Sequence, residues 1–172
     1  MEKQMQQQIY AEMGDFHLPR YHEIPDVGLY LEQTTKYISD TLASLSDATV
    51  TGSMISNYVK RGLISNPVKK QYSRDQIAYL IYIAVVKNVL SMDEIRLTVG
   101  VQQSAYTPQV AYDYFCDELE NMLSFVFGRK EPQDVIGGES TGAKVLLRST
   151  IITVAHKIYL DKLFAAIQKE KK

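Results

Sequence analysis

From Arg74 to Val89 the chain carries apolar side chains on almost every side of a would-be helix. Ile77, Leu80, Ile81, Ala84 and Val85 fall on one face, and Tyr79, Tyr82, Ile83 and Val86 on the other. A helix that is hydrophobic nearly all round is buried on both sides. A small helical module covers only one of them, so the sequence demands a second layer, from the C-terminal helices or a second subunit. With 172 residues there is enough chain for one well-buried domain, or for a small domain with an appended helical unit.

The flanking segments also read as helices. Leu31, Ile38, Leu42 and Leu45 fall at helical spacing between Val27 and about Ser46, with Asp26 as a candidate N-cap. A second helix is expected over 52–61, with Ile55, Tyr58 and Val59 inward and Gly62 ending it. Ser73 with Gln76, and Ser91 with Glu94, have capping-box spacing and mark two further starts. The second of these opens a short helix, Met92 to about Val99; helices over Gln109–Phe127 and Ala143–Gln168 follow, joined by a loop over 128–142. Pro19 and Pro25 favour an extended lead-in, and residues 1–15 read as a frayed arm or a short helix. No strand is expected beyond a small hairpin, so the fold class is all-α.

Charge singles out one stretch. Residues 1–50 carry three basic and eight acidic side chains, whereas residues 51–75 set Lys60, Arg61, Lys69, Lys70 and Arg74 against Asp75 alone. A local basic patch on a chain of net charge −1 suits a phosphate-bearing partner, because Lys and Arg displace counterions from phosphates. The same stretch reads, in order, as a short helix, a Gly stop, a loop with Pro67 and two lysines, and a new helix start. The outward face of that short helix carries Ser53, Ser56, Asn57 and Lys60. Asn pairs bidentately with adenine and Lys reaches guanine or phosphate. Arg61, Lys69, Lys70 and Arg74 would hold backbone phosphates. Tyr58 and Tyr72 either donate to phosphate or pack inward.

Helix, turn, helix ending Tyr58-Val59-Lys60-Arg61-Gly62-Leu63, basic loop, Tyr72-Ser73-Arg74-Asp75, then a helix opening Ser91-Met92-Asp93-Glu94-Ile95: this order resembles the winged helix-turn-helix of the MerR superfamily. Two blocks, Leu29-Tyr30-Leu31-Glu32-Gln33 and Met54-Ile55-Ser56-Asn57-Tyr58-Val59-Lys60, resemble more closely an uncharacterised Gram-positive bacterial family, a domain of unknown function. The two likenesses cover about residues 16–100. They imply a DNA-binding transcriptional regulator, with a major-groove helix at 52–61 and a basic wing at 65–72, working as a homodimer on double-stranded DNA. The implied layout is an N-terminal arm at 1–25, the winged module at 26–100, and a helical region at 101–172 for dimerisation or for sensing a small-molecule or protein effector. Two departures stand out: Ser56 lies where the superfamily commonly has Arg, and Lys69-Lys70-Gln71 where it has a Gly-Tyr-Arg turn. The missing Arg and the near-neutral net charge favour the alternative, a protein–protein interaction module that kept the fold and no longer binds DNA, while the two wing lysines offer compensating point charges.

Other functions find little support. Cys116 is the sole cysteine, so neither an intrachain disulfide nor a cysteine zinc cluster forms, and His17, His22 and His156 are scattered. No metal, cofactor or catalytic constellation is expected, and the chain does not read as an enzyme. The aromatic residues of 106–127 line either the core, a subunit interface or an effector pocket. Residues 137–144, GGESTGAK, lack the P-loop order of glycine, lysine and hydroxyl. No apolar run approaches the roughly 20 residues of a membrane helix. The start of the chain lacks a signal-peptide apolar region, which points to the cytoplasm.

Overall fold

The computed structural model describes residues 3–14, 16–45, 48–129, 131 and 140–170. In order, they form α1 (Lys3–Met13), a 3-10 turn (Tyr21–Glu23), β1 (Leu29–Tyr30), α2 (Leu31–Thr41), α3 (Gly52–Lys60), β2 (Gln71–Tyr72), α4 (Arg74–Val86), α5 (Met92–Ala105), α6 (Pro108–Val126) and α7 (Gly142–Glu170). Among the described residues the fold is all-α apart from one two-stranded antiparallel sheet. Most of the loop expected over 128–142 lies outside the described residues, including the glycine pair at 137–138.

α4 is the centre of the molecule. Every side chain from Gln76 to Val86 is buried except that of Tyr79, as the doubly apolar pattern requires. α2 packs on one side of it, and α6 and α7 cover the other. The second layer therefore comes from the same chain. Tyr82 crosses to α5 by donating from its hydroxyl to Thr98 Oγ1 at 3.0 Å within the core. α5 runs to Ala105 rather than stopping near Val99, because Gln102 turns inward and donates to the carbonyl of Ala143 at 2.9 Å.

α6 and α7 lie side by side and run parallel. Lys144, in the first turn of α7, sits 5.6 Å from the Tyr114 ring of α6, and Tyr159 further on meets Phe127 edge-to-face at 5.2 Å. α1 folds onto the same pair through Met5, Ile9 and Met13, with Tyr10 against Phe127. The core runs unbroken from Met5 to Ala155, across both boundaries (25/26 and 100/101) suggested by the sequence.

Two helix starts behave as their capping boxes dictate. Ser73 Oγ accepts from the Gln76 N–H and Ser91 Oγ from the Glu94 N–H, each at 3.3 Å. The start of α2 does not. Asp26 is not its N-cap; the cap lies four residues later, at Tyr30, and the helix begins at Leu31, with Gln33 accepting from the N–H of Tyr30 at 3.0 Å. Leu29 and Tyr30 are instead drawn into a sheet with Tyr72 and Gln71. Gly28 permits this pairing: its φ is +71°, and a Cβ there would lie 3.1 Å from the Gln71 side chain.

Candidate nucleic-acid interface

α3 is held at both ends by its own sequence. Thr51 Oγ1 accepts from the Met54 N–H at 3.2 Å, satisfying one of the orphan donors at the helix start. At the other end Gly62 takes φ +72°, the Leu63 N–H returns to Tyr58 O at 2.9 Å, and the Gly62 N–H returns to Val59 O at 3.0 Å. That pair of bonds is a Schellman stop. Ile55 and Tyr58 point into the core, while Ser53, Ser56, Asn57 and Lys60 are exposed. They share an open cleft of about 880 Å³ with Leu31, Glu32, Thr35 and Lys36 of α2. The connection from α2 to α3, residues 42–51, is longer than the three- or four-residue turn of a tight helix-turn-helix.

The stretch expected as a wing begins at a loop fixed by one buried amide. Gln76 Oε1 caps α4 by accepting from the Ser73 N–H at 2.8 Å. Its Nε2 donates to Ser65 O at 2.9 Å and to Asn66 O at 3.3 Å. From there the chain runs out through Pro67 to a two-residue turn. Val68 and Gln71 exchange backbone hydrogen bonds of 3.1 and 2.9 Å, closing the turn on Lys69 and Lys70. Both lysines have positive φ, +50° and +64°, as a type I′ turn requires of its central residues. Asn-Gly is the usual occupant, and an L-residue with a Cβ is strained there. Both side chains are exposed, as are Lys60 and Arg61, and among the described residues none of the four is paired with a carboxylate.

Two of the expected contact residues are occupied elsewhere. Tyr72 is 5 % exposed, its ring part of the core beneath β2, and burial pushes its hydroxyl above the ordinary tyrosine value. Tyr58 is buried likewise. Arg74 faces the lead-in: its Nε donates to Ile24 O at 2.8 Å and its guanidinium lies 5.4 Å from the Tyr21 ring. Both Tyr72 and Arg74 therefore leave the contact set; the side chains turned outward are Ser53, Ser56, Asn57, Lys60, Arg61, Lys69 and Lys70.

No local pattern marks how the lead-in is held. Glu120 of α6 accepts from the Leu18 N–H at 2.8 Å and from Arg20 at 2.7 and 2.9 Å, while Asp117 takes a further Arg20 bond at 2.8 Å. Burial alone would raise the Glu120 carboxyl, but the bonds from Arg20 and Leu18 prevail and hold it below the usual range. Tyr21 donates its N–H to Asp113 at 2.8 Å and its hydroxyl to Asp75 at 2.5 Å, and that second bond, with burial, pushes the phenol up to about 12. Residues 18–24 are thus strapped to α6 and to the start of α4, and lead directly into β1 beside the wing. Such pairs, about a hundred residues apart, leave no periodicity to read. Val27, Tyr30 and Val68 stand exposed around the wing at 79, 52 and 74 %.

Of the six aromatic residues of 106–127, half are buried: Tyr112, Phe115 and Phe127 are each under 5 % exposed, Tyr106 and Tyr114 are half-buried and Phe125 is exposed. The cavity among Tyr79, Tyr82, Tyr112 and Phe115 has about 30 Å³, room for water rather than for an effector. Among the described residues no group of three or more His, Cys, Asp or Glu side chains could hold a metal, and no helix is long and apolar enough to cross a membrane.

These features define a helical protein organised on one buried helix, with a two-stranded edge beside an exposed helix and a basic turn. The chain belongs to the family described as Domain of unknown function (DUF1836), whose model matches residues 19–115, more than half of its 172 residues. No curated protein and no solved structure matches it.

Proposed function

We propose that the protein is a DNA-binding transcriptional regulator with a winged helix-turn-helix of the MerR kind. α3 enters the major groove and the Lys69–Lys70 turn grips the flanking backbone. The observation that carries this reading is the two-lysine I′ turn. Two exposed cations, neither paired with a carboxylate among the described residues, occupy the positive-φ positions of a turn that Asn-Gly would fill with less strain. Ser53, Ser56 and Asn57 supply short hydrogen-bonding groups for base edges, and Lys60 and Arg61 supply charge at the far end of α3.

A protein-interaction role is the second reading, favoured by the exposed Val27, Tyr30 and Val68 around the wing. Salt separates the two. Affinity for duplex DNA should fall log-linearly between about 50 and 200 mM salt, and an affinity indifferent to salt would remove phosphate contact and this proposal with it. Asn57→Ala should flatten base preference at one position while leaving the salt slope in place. If preference is unchanged, Asn57 is not a reading residue.

A further inference from the structure

Tyr79 is the one side chain between Gln76 and Val86 that the core does not take in. It lines a cleft of about 640 Å³ whose walls come from three parts of the chain. Asn66 stands on the loop after α3, Asp75 and Tyr79 on the first turns of α4, and Gln103, Tyr106 and Pro108 at the junction of α5 with α6. A concave site of this size, with apolar walls and a few convergent polar groups, suits a small organic molecule.

The walls are set by bonds already in place. The Gln76 amide fixes the loop carbonyls of Ser65 and Asn66. Gln103 hydrogen-bonds to the Tyr79 hydroxyl, and the Tyr106 hydroxyl is paired with Thr141 Oγ1 at 2.8 Å. Asp75 Oδ1 accepts from Tyr21, but its second carboxylate oxygen has no partner among the described residues, and neither has the side-chain amide of Asn66. No lysine, arginine or histidine lines the cleft, so Asp75 carries its only formal charge. Arg74, the neighbouring cation, is turned to the lead-in. A carboxylate without a basic neighbour repels anions and favours a cation. Tyrosine rings beside it suit an ammonium as well, through their negative faces.

We propose that this cleft binds a small organic cation, a protonated amine on an aromatic body. The amine sits on Asp75, the body packs against Tyr79, Tyr106 and Pro108, and Asn66 takes a further polar group. Asn66 lies on the loop just ahead of the Lys69–Lys70 turn, so a ligand bridging Asn66 and Asp75 ties that loop to α4. Occupancy of the cleft is independent of DNA and is measured without it.

Three probes share a phenol body and differ in the end group: tyramine carries an ammonium, tyrosol a hydroxyl and 4-hydroxyphenylacetate a carboxylate. Titrated to about 10 mM into the isotope-labelled full chain, tyramine should shift the backbone amides of Asn66, Tyr79 and Gln103 with a Kd of about 1 mM, as a ligand of about ten heavy atoms allows. Tyrosol should bind ~10-fold more weakly, and the carboxylate should leave these amides unmoved. No shift with tyramine, shifts confined to the α2–α3 cleft instead, or equal binding of the carboxylate overturns the proposal. Asp75→Asn should weaken tyramine ~10-fold and leave tyrosol unchanged. Because Asp75 also holds the Tyr21 hydroxyl, Gln103→Arg is the second variant. It brings a cation to an exposed position outside the core, and should abolish tyramine binding while admitting 4-hydroxyphenylacetate. Undiminished tyramine affinity in either variant overturns the assignment.

Discussion

Replacing Lys69-Lys70 by Asn-Gly separates the two roles of the wing tip, because the same change should help the fold and harm the binding. Both lysines sit at positive φ, +50° and +64°. The left-handed region costs an L-residue roughly 1–2 kcal/mol. Asn tolerates it better, and Gly adopts it freely but gives back about 0.5–1 kcal/mol through the flexibility of the unfolded chain. The net gain should be about 1 kcal/mol. For a chain of this length that raises Tm by about 2–4 °C. Loss of two phosphate contacts should lower the slope of log affinity against log salt by about 1.8. Differential scanning calorimetry reads the first quantity and fluorescence anisotropy across a salt series reads the second. Lys69→Gln with Lys70→Gln is the control: it removes charge and keeps strain, so it should reproduce the lost slope without the gain in Tm. If Asn-Gly leaves Tm unmoved, the turn is not strained. If it leaves the slope unmoved, the lysines do not touch phosphate and the wing is not a DNA contact.

Two further outcomes follow from the packing. Glu120 is held below the ordinary carboxylate value, so its contribution to stability is present above about pH 4.3 and is lost as pH falls through its lowered value. Glu120→Gln should therefore lower the urea midpoint at pH 7, and the difference from the native protein should shrink as pH falls through the lowered value of Glu120; a loss that does not change with pH would deny the strap its charge. Cys116 is fully buried, and burial pushes its thiol up to about 12. It should react with a thiol reagent only at the rate at which the protein opens, and prompt reaction with the native protein would contradict the packing of α6.

What could be read from the sequence was local. The all-apolar surface of α4 required a second layer, and both capping boxes and Gly62 placed helix ends within a residue. The capping boxes and the Gly62 stop are each written in a few adjacent side chains, and the α4 pattern in one unbroken stretch. The pairing of Leu29–Tyr30 with Gln71–Tyr72 was not legible, since it joins segments some forty residues apart and interrupts what looked like the first turn of α2. Gly28 was the available clue, a glycine where a helix start has no need of one. Tyr72 and Arg74 matched the resemblance as contact residues, but side-chain direction depends on what packs beneath, and the lead-in that captures Arg74 could not be located from pattern alone. The outward set on α3 was legible because helical period alone assigns it.

The strap formed by Leu18 and Arg20 on Glu120 closes a loop of about a hundred residues. A contact of that span carries the loop-closure entropy of most of the chain, and the segment it holds leads into β1. The segment matched by the family model, 19–115, stops before Asp117, Glu120 and the whole of α7. Cut there, the chain would keep Arg20 but lose its acceptors, and one side of α4 would face water. The unit recognised by sequence is thus smaller than the packed unit, and a fragment that keeps both sides of α4 covered extends through α7.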